Sequence, residues 1–344
     1  MYDAILIVSF GGPEKAEDVL PFLENVTRGR GTPKERLLEV AEHYFRLGGK
    51  SPINDQCREL IAALRAELDQ NRPLLPIYWG NRNWHPFLSD TLKQMTSDGV
   101  HNALAFITSP YSSYSSCRQY REDIAAAQSE LGESAPKVEK LRTFYNHPGF
   151  IKAAAERVHD ALTRFSAEER DRVRFVVSAH SIPCSMANTS DYELQLRETS
   201  RLVAESVGFD EWDLVFQSRS GPHGQPWLGP DVLDYLKHLN SRGTKHVLLG
   251  PLGFLSDHVE VLYDLDVEAA QLATELGMKM VRARTVGIHP AFVTMIRQLI
   301  EERVCSAKPV AIGYFGPTHD SCRAECCPAP RRAGKSLVLE RPVV

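Results

Sequence analysis

A histidine and a row of carboxylates are the residues of this sequence best suited to chemistry on a metal ion. His180 ends the apolar run of VVSAHSIP, and Glu260, Asp264 and Glu268 recur every four residues in GFLSDHVEVLYDLDVE. This spacing puts the three carboxylates on one face of a helix. Imidazole and carboxylate suit divalent cations such as Fe²⁺, and the same groups can accept protons from a bound nitrogen ligand. We therefore expect His180 to face Glu260 across a cleft.

Both features also have an ordinary structural explanation. A histidine at a strand end is often a hydrogen-bonded structural residue, and a stripe of carboxylates is often a solvated helix face. Glu260 differs from the other two carboxylates because it lies in the apolar segment VEVLY, in the first turn of a helix that Ser256 can cap. We expect its carboxyl group to be partly buried and to exchange protons near neutral pH.

Cysteines form a second constellation. Cys322, Cys326 and Cys327 lie within six residues of one another near the end of the chain, and Cys117 lies far away in SSYSSCRQY. The chain has seven cysteines, an odd number, and its first apolar run is too short for a signal peptide. Metal binding or simple burial is therefore favoured over a disulfide framework.

Apolar runs of strand length alternate with helical segments through most of the chain, which predicts parallel sheets covered by helices. The predicted strands are 4–10, 75–79, 102–108, 138–144, 173–179, 213–217, 245–251 and 279–284. The predicted helices are 14–27, 34–47, 54–70, 86–97, 115–131, 149–164, 191–206, 230–240, 256–276 and 290–303.

The predicted fold class is α/β, with two doubly wound domains facing one another. The expected boundaries are 1–147 for the first domain, 148–304 for the second and 305–344 for a cysteine-containing tail. The last helix is expected to pack back onto the first half. His180 would then stand at the carboxyl end of a strand, where ligand crevices of such sheets lie.

Composition excludes several classes of protein. The chain is 43% hydrophobic and 24% charged, with a net charge of −4, which does not indicate a nucleic-acid partner. No apolar run approaches the ~18 residues needed to cross a membrane. We expect a cytoplasmic protein without a transmembrane segment.

Eight stretches, in this order, resemble the ferrochelatase family: LIVSFGGPE, FLENVTRGRG, GGKSPIN, YWGNRNWHPF, SPYSSYSSCRQYREDI, VVSAHSIP, FQSRSG followed by PWLGPDV, and GPLGFLSDHVEVLYDLD. The resemblance implies two Rossmann-like domains around a porphyrin cleft, as in class II chelatases, and insertion of Fe²⁺ into a free-base porphyrin with release of two protons. By this resemblance, His180 and Glu260 bind the metal and accept pyrrole protons, and Asp264 and Glu268 form an acidic path for iron.

The resemblance also implies the porphyrin contacts. Ser51 and Tyr120 match porphyrin-binding positions, Phe10 is an aromatic candidate for the cleft wall, and Arg28 and Arg30 can bind propionates as bidentate forks. Surface charge is the alternative for Arg30. Many relatives that use coproporphyrin have an iron-ligating tyrosine at the position of Phe10. Phenylalanine cannot ligate, which leaves His180 as the expected iron ligand.

The cysteines of this sequence also resemble those of some ferrochelatases. In those proteins, three tail cysteines and one from the first half hold a 2Fe–2S cluster. This implies Cys117, Cys322, Cys326 and Cys327 as ligands, which is the required count. Zinc on the same sulfurs and a tail with free thiols remain the alternatives.

The function implied by the resemblance is insertion of iron into coproporphyrin III to give coproheme in haem biosynthesis, as in the similar actinobacterial members. The alternatives are a protoporphyrin IX ferrochelatase, a non-catalytic tetrapyrrole or haem carrier, and a redox or iron sensor that uses the cysteines. The expected partners are the porphyrin, Fe²⁺ and downstream enzymes of the haem pathway, with a monomer or homodimer as the assembly.

Overall fold

The structure is a computed structural model that describes residues 1–29, 31–220 and 224–330. Arg30, one of the two arginines expected to bind propionates, lies outside the described residues. Every other residue proposed above for a site lies within them.

Two four-stranded parallel sheets form the framework, and both have the same strand order. The first runs β2-β1-β3-β4 and the second β6-β5-β7-β8. In each sheet the first strand along the chain lies between the second and the third. The connection after the first strand runs to one side of the sheet, and the connection after the third runs to the other. Phe10 follows β1 and His180 ends β5, so both stand at the point where ligand crevices form. The strands are β1 Ala4–Ser9, β2 Ile77–Asn81, β3 Asn102–Ile107, β4 Lys137–Lys140, β5 Val173–His180, β6 Trp212–Gln217, β7 His246–Gly250 and β8 Lys279–Arg282.

Helices cover the sheets, and each predicted helical segment contains one. Two segments are π-helical, Tyr114–Arg118 and Leu262–Ala269, and two short ones are 3₁₀, Ala16–Asp18 and Gly132–Ser134. The four-residue helices Ala167–Arg170 and Cys184–Ala187 were not predicted, since four residues show no helical periodicity. The α-helices are α1 Val19–Val26, α2 Lys34–Arg46, α3 Ile53–Asn71, α4 Leu88–Ser97, α5 Gln119–Leu131, α6 Pro148–Leu162, α7 Ala167–Arg170, α8 Cys184–Ala187, α9 Tyr192–Val207, α10 Val232–Ser241, α11 Val259–Val261, α12 Ala270–Glu275 and α13 Pro290–Val304.

The two halves share a hydrophobic core, in which aromatic rings from both meet. Phe106 of β3 stacks on Phe144 at 5.2 Å, and Phe292 of α13 lies 6.3 Å from Phe106. Arg297 of α13 forms a 2.8 Å ion pair with Glu67 of α3. The expectation that the last helix packs onto the first half is confirmed, and the boundary between 147 and 148 stays a prediction.

A glycine determines how closely the loop after β7 approaches β5. The Gly253 N–H donates to the Ser178 carbonyl at 3.1 Å. A Cβ atom at residue 253 would lie 2.5 Å from both Cα and Cβ of Ala179. Only glycine allows this contact, and the contact brings the loop beside His180.

We predict that Gly253→Ala destabilises the protein by about 1–3 kcal/mol, the usual cost of overpacking. The backbone of β5 or of the loop must move to admit the methyl group. Urea denaturation of the variant and the wild type measures the difference. Gly316→Ala is the matched control, because a Cβ there meets open space. Equal stability of Gly253→Ala and Gly316→Ala would contradict the prediction.

Candidate active site

His180 is oriented by backbone groups at the end of β5. Its Nδ1 contacts the Ser181 carbonyl oxygen, and the Tyr192 hydroxyl donates to the His180 carbonyl at 2.9 Å. In the neutral imidazole, a carbonyl partner requires the proton on Nδ1, and Nε2 then presents a lone pair. This Nε2 lies 3.6 Å from Oε2 of Glu260, and the two side chains are 34% and 47% exposed. The structure therefore brings the predicted pair together with an open side toward solvent.

The segment before Glu260 differs from the prediction. The helix begins at Val259 with His258 at its N-cap, so the expectation that Ser256 caps it is wrong. The reason is that Asp257 is held in the preceding loop. Its backbone exchanges two hydrogen bonds with the Gln56 side chain of α3, and its carboxylate binds Arg282 at 2.7 Å. These contacts delay the start of the helix.

Asp264 and Glu268 lie on a π-helix, Leu262–Ala269, whereas Glu260 lies on the short helix α11 that precedes it. Hydrogen bonds from i to i+5 widen each turn, and such segments are frequent at functional sites. The period of four that predicted a shared helix face does not distinguish the two helix types. Glu268 lies on the outer part of the row, where partial burial raises its pKa.

Asp264, and not Glu260, is the least accessible carboxyl group of the row. Burial raises the pKa of Asp264 to about 7, and the nearby charges of Glu260 and Glu268 reinforce the rise. Hydrogen bonds from the Ser218 hydroxyl and from Nε2 of Gln217, at 3.2 Å, act in the opposite direction. The residue suited to exchange protons near neutral pH is thus Asp264 and not Glu260, which lies one turn earlier and is half-exposed.

Aromatic residues of the first half pack around the entrance to this site. Phe10 lies 6.2 Å from Phe22, which also contacts Tyr44 and Trp84. Val259, the neighbour of Glu260, belongs to the same cluster. Phe10 and Trp84 therefore pack against one cluster beside Glu260, and the place of Phe10 in the wall of a porphyrin cleft stays a prediction.

A second contact joins the halves directly beside the acidic row. The ring of His43 on α2 stacks on Tyr263 at 3.7 Å, and Arg46 donates to the Tyr263 hydroxyl at 3.3 Å. Burial and the nearby arginines lower the pKa of His43. This contact attaches α2 to the π-helix.

The remaining predicted porphyrin contacts lie in different places. Ser51 is buried against the loop after β1, where its N–H donates to the Pro13 carbonyl at 2.8 Å. Arg28 is exposed and hydrogen-bonds Asn25. Tyr120 is buried on α5. In the described part of the chain, these three side chains make no hydrogen bond or ring contact with His180 or with one another.

Arg82 is a site residue that sequence reasoning missed. Its guanidinium lies 4.8 Å from the Tyr120 ring and 5.9 Å from the Phe10 ring, so it connects the two. It also pairs with Asp123 at 2.6 Å, and burial raises the pKa of that carboxyl group. Its position immediately after β2, at the carboxyl edge of the sheet, was the available signal.

The four predicted cysteines lie together. Cys117 and Cys322 are neighbours, and the interaction of their thiols lowers the pKa of Cys322 and raises that of Cys117. The sulfurs of Cys326 and Cys327 are 3.6 Å apart. His319, which was not predicted, has a ring nitrogen within 4.8 Å of the sulfurs of both Cys322 and Cys326. The spacing H-x₂-C was the signal for it.

Hydrogen bonds hold the tail to the body of the protein before it reaches the cysteines. The Asn146 side chain donates to the Phe315 carbonyl at 2.8 Å, and the Tyr314 N–H donates to Glu198 at 2.7 Å. Arg118 donates to the Cys326 carbonyl at 3.1 Å. Polar contacts therefore hold the tail in position, in addition to the contact between Cys322 and Cys117.

The half-buried Asp264 gives a testable pH dependence. An unfolded aspartate has a pKa near ~3.9 and the folded one about 7, so the folded protein holds the extra proton between these values. Stability from this group falls as the pH rises through that window, by at most ~1.4 kcal/mol per pH unit. We predict a flatter profile for Asp264→Asn, measured by urea denaturation at pH 5, 6 and 7.

The control for that measurement is Asp90→Asn, because Asp90 is exposed on α4. This variant should keep the wild-type slope of stability against pH. A slope for Asp264→Asn that equals the wild-type slope would contradict the burial argument.

Among the residues that the structure describes, no helix has both the length and the apolar character required to cross a membrane.

Comparison with known proteins identifies the family. The sequence model of the ferrochelatase family matches residues 2–304. A ferrochelatase of Rhodopirellula baltica is 55% identical over 335 residues, which cover 96% of this chain and 95% of the relative. A coproporphyrin III ferrochelatase of Streptomyces coelicolor is 48% identical, with 96% and 95% covered. One of Nocardia farcinica is 47% identical, with 96% and 97% covered.

Solved structures show the same fold at low sequence identity. SirB from Bacillus subtilis with Fe³⁺ has a TM-score of 0.54 and 14% identity, covering 88% of this chain and 97% of that one. CbiX, the terminal enzyme for siroheme biosynthesis in denitrifying bacteria, has a TM-score of 0.50 and 16% identity, covering 88% and 99%. These likenesses concern the fold alone, and they confirm the predicted class II chelatase-like arrangement. The family match and the close relatives establish more: the chain belongs to the ferrochelatase family.

Proposed function

We propose that this chain is a coproporphyrin III ferrochelatase, which inserts Fe²⁺ into the porphyrin and yields coproheme in haem biosynthesis. The observation that carries the proposal is the pair formed by His180 and Glu260, 3.6 Å apart at the switch point of the second sheet. Membership of the ferrochelatase family supports it, as do the names of the actinobacterial relatives.

The proposed path of iron follows the acidic row. Hydrated Fe²⁺ must lose its water ligands before it enters a macrocycle, and carboxylate oxygens can replace them in steps. Glu268 lies on the outer part of the row, Asp264 is half-buried, and Glu260 reaches His180. With a pKa of about 7, Asp264 is divided between its two forms near neutral pH, so it can bind the cation and release it again.

The two members of the pair take different parts in the proposed reaction. His180 holds iron, because its Nδ1 contact with the Ser181 carbonyl leaves the Nε2 lone pair free for a metal. Phe10 cannot provide a competing axial ligand. Glu260 accepts the pyrrole protons, because it is within reach of the same centre and its exposed side can pass them to solvent.

The first half holds the porphyrin in this proposal. Phe10 supplies an apolar wall, and burial of the ring against it provides binding energy that can distort the macrocycle toward the metal. Arg28 and Arg30 bind propionates from the surface, Ser51 contributes a buried hydroxyl, and Tyr120 holds Arg82 toward the wall.

We predict that His180→Ala abolishes iron insertion and that Glu260→Gln lowers its rate by about 10²–10⁴-fold, the range typical of a lost general base. Anaerobic loss of the fluorescence of free-base coproporphyrin III on adding Fe²⁺ measures insertion. Quenching of tryptophan fluorescence measures porphyrin binding, which both variants should keep.

His101→Ala is the matched control for His180→Ala, since His101 is exposed at the opposite end of the first sheet. Insertion by His180→Ala at the wild-type rate would refute the assignment of the site. A wild-type protein that binds porphyrin without metallating it would be a carrier. The ratio of kcat/KM for coproporphyrin III to that for protoporphyrin IX decides between the two substrates.

We further propose that Cys117, Cys322, Cys326 and Cys327 hold a 2Fe–2S cluster. The fit is one of donor chemistry, because four sulfurs in two contacting pairs match the ligand count of such a cluster. When bound, the cluster would accept and donate a single electron. Zinc would use the same sulfurs.

We predict that anaerobic preparation with iron supplied gives a brown protein containing iron and acid-labile sulfide. Cys322→Ser should lose both, because Cys322 contacts Cys117 and lies beside Cys326. Cys305→Ser is the control, since Cys305 is an exposed thiol at the end of α13 and should keep the cluster. Stoichiometric zinc without sulfide in the wild type would instead identify a zinc site.

The cytoplasmic location, the downstream haem-pathway partners and the monomeric or homodimeric state stay predictions. The family match favours a place in haem biosynthesis, which makes an enzyme that consumes coproheme the expected partner.

A further inference from the structure

Lys140 is a buried cation without an acidic partner. It is the last residue of β4 and is 9% exposed. Its charged neighbours are paired, Lys137 with Glu139 and Arg142 with Glu302. Among the residues that the structure describes, no carboxylate lies within ion-pair distance of the Lys140 ammonium. A buried ammonium is costly unless an anion compensates it, so the neighbourhood of Lys140 must supply negative charge.

Lys140 shares a small cavity with a cysteine. Both Lys140 and Cys117 line this cavity, and Cys322 lies close enough for the ammonium charge to act on it. Thiolates are the form in which cysteine binds metals, so the buried cation and the four-sulfur group are complementary.

Other charges around the sulfurs have mostly the same sign. The charge of Arg121 also acts on Cys322, and its Nε is buried without a hydrogen-bond partner. A ring nitrogen of His319 also lies within 4.8 Å of the Cys322 sulfur. Asp191 acts in the opposite sense, but on Cys327 at the other side of the group. The surroundings of Cys117 and Cys322 are therefore electropositive.

We infer that Lys140 is the buried counter-charge of an anionic iron–sulfur cluster and that it raises the reduction potential of that cluster. This inference rests on the proposed 2Fe–2S site. Such a cluster on four thiolates carries two negative charges when oxidised and three when reduced, so a fixed cation stabilises the reduced form more. Net charge around a cluster is one of the factors that set its potential.

Lys140→Met tests the inference, because methionine keeps most of the apolar stem and removes the charge. The reduced-to-oxidised ratio at a fixed potential should fall tenfold or more, which is a downward shift of ~59 mV or more for a one-electron couple. An anaerobic redox titration followed by visible absorbance and electron paramagnetic resonance measures it. Lys137→Met is the matched control, because Lys137 lies on the same strand with its side chain 69% exposed.

The outcomes separate the inference from the proposed cluster. A wild-type protein without acid-labile sulfide overturns both. A loaded Lys140→Met protein with the wild-type potential overturns only the role of Lys140. If Lys140→Met does not load, Lys140→Arg decides: loading of the arginine variant supports a requirement for charge, and failure of both variants overturns it.

Discussion

The close contact between Gly253 and β5 is the constraint on which the proposed metal-binding side of the cleft depends. It places the loop after β7 against the strand that ends in His180. The loop is then held from two further directions, by Gln56 of the first half and by Arg282 at the end of β8. Glu260 follows this loop directly, so its distance from His180 is determined by backbone packing more than by the pair itself. The site is therefore held by the framework of both halves.

Buried charges in this protein are of two kinds, and the difference separates structure from proposed function. Arg142 and Glu302 form a nearly inaccessible ion pair at 2.7 Å, where each charge compensates the other. Lys140 is buried and Asp264 is half-buried, and neither has an oppositely charged side chain at ion-pair distance in the described part of the chain. Each lies where a cation or an anionic cluster is proposed. An uncompensated charge at these two positions lowers the stability of the fold. Ligand binding therefore explains the two residues better than stability does.

Sequence patterns predicted the strands and most helices because buried parallel strands and amphipathic helices have distinct periodicities. They also predicted which chemistry-bearing residues end strands, as for His180. They did not predict the π-helix, since the period of four in the carboxylate row fits both helix types. Nor did they predict that Asp264 rather than Glu260 is the less accessible of the two, because that depends on Gln217 and Ser218 of another strand end.

The long-range contacts were the least predictable part. Arg82 between two aromatic rings and His319 beside the cysteines are each placed by residues far away in the chain. Family resemblance supplied the cysteine ligands, which spacing alone left open between a cluster, zinc and free thiols. The structure adds that the tail segment before Cys322 is attached to the body of the protein by hydrogen bonds to Asn146 and Glu198.

The cysteine group and the cleft wall are joined by one continuous helical segment. Cys117 lies in the π-helical turn Tyr114–Arg118, and Tyr120 follows it on α5, where its ring contacts Arg82. Interiors as densely packed as this one transmit small shifts rather than absorbing them. A shift at Cys117 therefore acts on the helix that carries Tyr120, which couples the proposed cluster site to the proposed porphyrin wall.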